Sequence, residues 1–408
     1  MSTPNVLLVV VDSLRADAVF DQRVATPTFD AYAQRGAQFR QCVSTCTTTT
    51  PSFCSILTGC YPPKHGVRGL RGYRLSPSLT TMAEAFSAAG YKTYAEVTGP
   101  LLPQTEVTRG FDDAEHRRGK GGDYFAWTER VIDKIRADSG PWLMLVHTWE
   151  VHRPYRTPSG FSKHNNRADY EASVAGTDSA LAPLLDAAGD DTIVVLTGDH
   201  GEDYTESMLE LNVVRVARRA RRALKLGSWL RPLDDKLAGM EIGHGFALYE
   251  HLVRVPLIIA GPGIAAATIT DQVRHVDLFP TLVDLCGAHA PQGMDGRTLR
   301  PAMEGGSLPE EPAYLEALGV KLEGRRTSAA RTPRWKLLRP GGRKPILYKL
   351  DGGAPPDEKH NVYARYRDEA RYLEAFIERV AASEATQSGM TVEEEAVVEQ
   401  HLRDLGYL

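Results

Sequence analysis

The sequence has no apolar run near the ~20 residues that a helix needs to cross a bilayer. Cysteine is sparse: five in 408 residues, at Cys42, Cys46, Cys54, Cys60 and Cys286. The count is odd and no Cys-x-x-Cys pair occurs. That argues against a disulfide framework or a zinc knuckle, and for buried free thiols. Neither sign of charge dominates. With 48 basic and 52 acidic side chains the formal net charge is −4, whereas a dedicated nucleic-acid binder carries a basic domain. Internal repeats are absent. The N-terminus lacks the basic stretch and long apolar core of a secretory signal. Its run at 6–11 is short, ends on Asp12 and reads as a buried parallel strand, which predicts a cytoplasmic protein.

What is present is globular. A hydrophobic fraction of 42% with 25% charged residues excludes a disordered chain. The length allows two or three domains, or one large α/β domain with an appendage. Strand-length apolar runs stand at 6–11, 94–97, 142–146, 192–196 and 256–260, with helical patterns at 78–89, 124–137 and 170–188 between them. This alternation predicts an α/β fold with a mostly parallel central sheet and helices on both faces. Beyond about residue 301, short strand-like pieces at 334–338 and 346–350, Gly/Pro turns and a polar helix at 366–382 predict a small α+β subdomain. An acidic amphipathic helix at 392–405 follows. One segment, 211–240, carries eight basic residues against two acidic ones at helical spacing. It reads either as a solvated surface helix or as a docking surface for an anionic partner.

In open parallel sheets, ligands bind beyond the carboxyl ends of the strands. Asp12 follows the first run. His147, Glu150 and His152 follow the third. Asp199, His200 and Glu202 follow the fourth, and His244 precedes the fifth. Each alone could be a helix cap or a satisfied loop side chain. Together they gather carboxylates and imidazoles at one sheet edge, and a divalent cation is the simplest compensation. The stretch Thr47-Thr48-Thr49-Thr50-Pro51-Ser52 reads as a helix start with Thr50 as N-cap, and Gly59 as its end. Thr49 would then stand just ahead of a helix N-terminus, where an anion is favoured. A threonine hydroxyl needs a base or a metal to become a nucleophile. Lys64, His65, Arg68 and Arg71 fall in a turn that could bind an anion or simply face solvent. Asp277 reads as a helix cap.

The motifs VVVDSLRAD, TTPSFCSILTG, YPPKHGVRG, LVHTWEVHRPY, LTGDHGE, GHGFALYEHLVRVPLIIAGPG, HVDLFPTLVDLCG and the closing LRDLGYL occur in this order. In that order they resemble the sulfatase branch of the alkaline phosphatase superfamily. The resemblance implies an alkaline-phosphatase-like sandwich. It places a catalytic domain over 1–300, with the basic insertion at about 205–240, and a small-sheet-plus-helix subdomain with its tail over 301–408. It implies metal ligands at Asp12, Thr49, Asp199 and His200, with Thr49 at the nucleophile position. His152 and His244 match positions that contact the substrate oxyanion or protonate the leaving group. Lys64, His65, Arg68 and His147 are weaker substrate-binding candidates.

The departures from the family are informative. Sulfatases carry Cys or Ser at the nucleophile position, oxidised to formylglycine; Thr49 cannot be converted. Phe53 stands where an Arg is usual, Ser13 where a second aspartate is usual, and His244 where a Lys is common. Val97-Thr98-Gly99-Pro100 replaces a Gly-Lys-x-His segment. Threonine nucleophiles in this superfamily accompany phosphorus chemistry. The expected activity is therefore metal-dependent hydrolysis of a small or polymeric phosphodiester, phosphomonoester or phosphonate ester through a phospho-threonine. The alternatives are a sulfate ester hydrolase without formylglycine, a phosphoalkyl transferase to an alcohol, and an inactive binding protein. Carboxylates with an imidazole favour Zn²⁺ or Mn²⁺ over Ca²⁺ or Mg²⁺. A second ion at His152 and His244 is the alternative to direct substrate binding by those rings.

Overall fold

Between Asn5 and Asp12 every side chain is aliphatic, because the strand they form is covered on both faces. In a computed structural model, β1 (Asn5–Val11) sends Val6, Leu8 and Val10 into one core and Leu7, Val9 and Val11 into the other. The structure describes residues 3–117, 124–204, 216, 220, 244–245, 247–318, 326–350, 358–385, 389–405 and 407. Apart from Val216 and Ala220, the expected basic helix at 211–240 lies outside them.

The large sheet also contains β2 (Ala37–Val43), β3 (Lys92–Thr98), β4 (Asp113–Arg117), β5 (Trp142–Thr148), β8 (Thr192–Gly198), β9 (Arg254–Ala260) and β10 (Ala267–Arg274). A short hairpin of β6 (Arg156–Thr157) and β7 (Gly160–Phe161) stands apart. The order is β10-β2-β9-β8-β1-β5-β3-β4. All pairings are parallel except those of β9, which runs against both β2 and β8. Helices Thr49–Thr58, Met82–Ala88 and Leu278–Leu285 pack on one face. Helices Pro27–Arg35, Thr128–Ala137 and Arg167–Ala187 pack on the other. Among the described residues no helix is long and apolar enough to cross a membrane. The five thiols are free; four are buried and Cys286 is partly exposed.

A second sheet is antiparallel, in the order β11 (Ala313–Ala317), β12 (Thr327–Arg331), β13 (Trp335–Pro340), β14 (Ile346–Lys349). One face meets Val43, Leu248, Leu252 and Val253. The other meets Leu373, Phe376 and Ile377 of helix Arg367–Ala381. Where it abuts the main body, Glu250 is buried between Arg331 (2.8 Å) and Lys336 (3.0 Å). Burial alone would raise the Glu250 pKa, but the two cations outweigh it and hold it well below the usual carboxylate range. A depressed carboxylate contributes stability above its unfolded pKa of about 4.3, and that contribution is lost as pH falls through the folded value. Glu250→Gln should therefore cost about 3 kcal/mol at neutral pH, since it takes the carboxylate from the buried Arg331 and leaves the buried Lys336 with Glu358 alone. Urea midpoints of variant and wild type should converge as the pH drops below about 4. Equal midpoints at pH 7 would contradict this.

Some expectations need correction. The helix that carries Thr49 begins two residues earlier than expected: Thr48 is the N-cap in an extended conformation and Thr49 is the first helical residue. Pro51 is accommodated at the third position because the first-turn N–H groups have no acceptor inside the helix. Gly59 ends the helix with φ +66°, as expected. Asp277 precedes helix Leu278–Leu285, yet its carboxylate does not cap it. It accepts from the backbone N–H (2.8 Å) and guanidinium of Arg274 and from the Arg297 N–H (3.0 Å).

Candidate metal centre and active site

Asp12 closes β1, His147 lies in the last turn of β5, and Asp199 and His200 follow β8 directly. Because β1 is hydrogen-bonded to both β5 and β8 in parallel, these side chains emerge at the same sheet edge. Helix Thr49–Thr58 points its first turn at them. Thr49 Oγ1 donates to Asp12 Oδ2 at 3.3 Å. Two serines clamp this helix to the end of β8: Ser44 and Ser52 both donate to the Asp199 carbonyl, at 2.6 and 2.7 Å. The Ser52 oxygen in turn lies 3.1 Å from His275 Nδ1.

The chemistry of the donor set is legible in what it lacks. His147 Nδ1 lies 3.1 Å from the Thr98 carbonyl, and His200 Nδ1 lies 2.9 Å from the Gly201 carbonyl. A carbonyl only accepts, so each ring carries its proton on Nδ1 and presents a lone pair at Nε2. His147 Nε2 faces Asp12 Oδ2 at 3.5 Å, and His200 Nε2 faces Asp199 Oδ2 at 3.4 Å. Both Nε2 atoms and Asp199 Oδ2 are buried and have no hydrogen-bond partner. Acceptor faces acceptor, with no proton between them. Such an arrangement is stable only with a cation in the middle. Ligand atoms of Asp12, His147 and Asp199 lie within 4.8 Å of one another, and His200 adjoins them. A ring whose other nitrogen donates to a backbone carbonyl is the usual support of a metal-ligating histidine. The residues present therefore fit a divalent ion.

Ionisation agrees. Burial pushes the Asp12 carboxyl up, but His152, His147 and His200 outweigh it and leave the pKa below the ordinary range. Burial and the Asp12 charge push Asp199 up. Ser13 relieves part of the repulsion. Its hydroxyl donates to Asp12 at 2.7 Å and its backbone N–H to Asp199 at 3.0 Å. It does so from a left-handed conformation, φ +61°.

His152 and His244 stand beside this cluster. The His244 ring centre is 4.4 Å from that of His200 and 4.8 Å from that of His152. Burial disfavours a charged His244, but the Glu202 carboxylate 3.4 Å away outweighs it and raises the pKa. The same contact holds Glu202 down to about 2, against its burial. His152 is pushed down to about 3, by burial first, and stays neutral. Among the described residues no second group of ligand atoms forms around His152 and His244.

The structure does not bring every candidate here. Lys64 bonds Asp295 at 3.1 Å. Arg68 is buried against Glu316 (2.7 Å) and also pairs with Glu384 (2.6 Å). His65 donates from Nε2 to Ser55 Oγ at 3.1 Å while its Nδ1 accepts from Val67 N–H. All three hold the loop after helix Thr49–Thr58 in place. His147, expected to touch substrate, lies among the metal-ligand atoms instead. Ser13 and Tyr407 have no role that the sequence reveals, and Glu202 is legible only as one of the carboxylates at this edge, not as the partner of His244. Tyr407 donates from its phenol toward His152 Nε2 at 2.6 Å across 255 residues of chain, a distance no local pattern reveals.

With this geometry in hand, comparison with known proteins is direct. The family model described as Sulfatase matches residues 4–288, well over half of the chain. A model described as N-sulphoglucosamine sulphohydrolase, C-terminal, matches residues 245–382. An ulvan-active sulfatase of Formosa agariphila is 27% identical over 379 residues, covering 77% of this chain and 67% of that protein. The multifunctional alkaline phosphatase superfamily protein PehA of Trinickia caryophylli is 22% identical over 408 residues, covering 75% and 78%. The crystal structure of a phosphonate monoester hydrolase of Agrobacterium radiobacter has the same fold, with a TM-score of 0.70 at 20% identity over 96% of this chain and 97% of that one.

Proposed function

The chain belongs to the sulfatase family, and from that premise we propose that it hydrolyses phosphoesters through a covalent intermediate on Thr49. The ester is a phosphodiester, a phosphomonoester or a phosphonate ester. The observation that carries this reading is the Thr49 hydroxyl, buried at the head of its helix and donating to Asp12 beside three unpaired buried acceptors.

Asp12, Asp199, His147 and His200 would hold a divalent ion, with Zn²⁺ or Mn²⁺ suiting two carboxylates and two imidazoles. That ion supplies positive charge beside the Thr49 hydroxyl and the ester oxygens, lowering the pKa of one and neutralising the other. The remaining work falls to the chain. Helix Thr49–Thr58 fixes the attacking oxygen at the end of a rigid element, so the reaction begins from an oriented encounter. The Thr49 hydroxyl loses its proton to water, its oxygen forms a bond to phosphorus, and the bond to the leaving oxygen breaks with its electron pair on that oxygen. His244, whose pKa Glu202 raises, can hold a proton for it. Water then attacks the same phosphorus and gives a proton to the now neutral His244, and the bond from phosphorus to the Thr49 oxygen breaks with its electron pair on that oxygen, which restores Thr49. Threonine favours this route over sulfate esters. A formylglycine hydrate can expel sulfate by collapsing to the aldehyde, whereas a threonyl ester must be cleaved at the central atom.

Sulfate ester hydrolysis is the second reading, supported by the likeness to a protein described as an ulvan-active sulfatase. Matched aryl esters separate the two. Phosphate mono- and diesters, a phosphonate and a sulfate of one phenol are assayed with Zn²⁺, Mn²⁺, Ca²⁺ and Mg²⁺ in turn. The best phosphorus ester should exceed the sulfate in kcat/KM by at least about tenfold. The reverse order would overturn the proposal in favour of sulfate.

A further inference from the structure

Helix Val392–Asp404 is the last of the chain and is tied down along its length. Thr391 and Glu394 form a reciprocal cap at its start. Val398 and Leu402 are buried with Leu70 and Leu102. Arg71 pairs with Glu399 at 2.9 Å, and Arg74 pairs with Glu394. The helix also reaches the active-site wall. His401 Nε2 lies 3.0 Å from the Gly99 carbonyl. Gly99, at φ +66°, passes so close to Trp149 and His147 that a Cβ there would stand 3.2 Å from Trp149 Cδ1 and 3.8 Å from His147 Cε1. Trp149 stacks on His152, with ring centres 4.5 Å apart and planes 17° apart. Beyond the helix, the Tyr407 N–H returns to the Leu402 carbonyl at 2.9 Å. This turn carries the phenol into the site, 2.6 Å from His152 Nε2.

We propose that Tyr407 is a positioning residue of the active site: its O–H locks His152 as the Nδ1–H tautomer, leaving that N–H as the donor that meets an ester oxygen. The direction of the hydrogen bond follows from protonation. Burial keeps the phenol protonated and the His152 ring neutral. The phenol has no other acceptor among the described residues, so it donates to Nε2 and the ring proton sits on Nδ1. His152 Nδ1 is itself buried without a partner. A donor left unpaired inside a protein is costly, and here it stands one ring away from His244 and the metal-ligand cluster. The C-terminal tail thus acts on the reaction through His152, with Trp149 fixing the plane of the ring and Tyr407 its tautomer. The role of the Nδ1 donor rests on the ester-hydrolase reading above; the tautomer does not.

The test uses full-length protein labelled with ¹⁵N-histidine, with Tyr407→Phe, His152→Ala and the double variant. In wild type, the His152 nitrogen shifts should show a protonated Nδ1 and an accepting Nε2. Tyr407→Phe should move the ring toward the Nε2–H tautomer. With the best substrate, Tyr407→Phe should lower kcat about tenfold, within the range seen when an orienting partner of an active-site histidine is removed. It should add less than about twofold in the His152→Ala background. An unchanged tautomer in Tyr407→Phe, or an equal kinetic loss in both backgrounds, overturns the proposal. If the wild type turns over no ester, the functional reading fails, and the nitrogen spectra still decide the role of Tyr407.

Discussion

Thr49→Val should reduce turnover by about 10⁴-fold or more, the scale of losing a covalent nucleophile, while the protein folds as before. Valine keeps the shape of threonine and removes one hydroxyl. The helix that carries it is anchored by Phe53, Ile56 and Leu57 in the core and by the Ser52 bond to the Asp199 carbonyl. Losing the 3.3 Å bond to Asp12 costs stability of only about 1 kcal/mol. Thr49→Ser should keep much of the activity, because it restores an oxygen at the same backbone position. Acid-quenched wild type, digested and weighed during turnover, should carry the transferred group on the peptide containing Thr49. Near-normal rates in Thr49→Val would remove this residue from the mechanism. The attack would then pass to another oxygen, with Ser13 the nearest hydroxyl to Asp12 at 2.7 Å.

Why the edge that Thr49 faces is legible in sequence, and the contact of Tyr407 is not, has a physical reason. Strands buried on both faces must be aliphatic throughout, so β1, β5, β8 and β9 stand out as apolar runs, and the groups after them mark the site edge. Asp12, His147, Asp199 and His200 were all visible in this way. The sheet edges obey the opposite rule. β4 reads Asp-Ala-Glu-His-Arg and β10 contains Thr-Asp-Gln, because an exposed edge is kept polar to discourage pairing with other chains. Such strands carry no hydrophobic signature. β11 and β12 were missed because small or polar residues dominate them. Roles proved harder to read than positions. His147 was placed with substrate because its motif gave no view of the Thr98 carbonyl that sets its tautomer. For Arg68 the sequence leaves open an anion binder or a solvent-facing turn residue, because its partners, Glu316 and Glu384, lie about 250 and 315 residues away. Spacing in sequence identifies which groups share an edge. It does not say which nitrogen faces which oxygen, and that is fixed by contacts among strands and loops far apart in the chain.

The metal centre gives the second large effect. Chelation should abolish activity, and Zn²⁺ or Mn²⁺ should restore it. Binding to the folded state alone stabilises by RT ln(1 + [M]/Kd), about 2.7 kcal/mol at a hundredfold excess over Kd. Asp199→Ala or His147→Ala removes a direct ligand and should weaken binding more than about 100-fold, beyond what the loss of an outer partner costs. At the same metal concentration the stabilisation then shrinks to about 0.4 kcal/mol, which a thermal-shift titration resolves. The histidines provide an internal control. His147 and His200 present unpaired Nε2 atoms to the carboxylates, whereas His152 Nε2 is taken by Tyr407. His152→Ala should therefore leave the metal titration where it was, while His147→Ala and His200→Ala shift it. Equal losses in all three would mean that the ion sits between the histidines rather than between Asp12 and Asp199. The lone-pair argument that places Thr49 beside a cation would then fail with it.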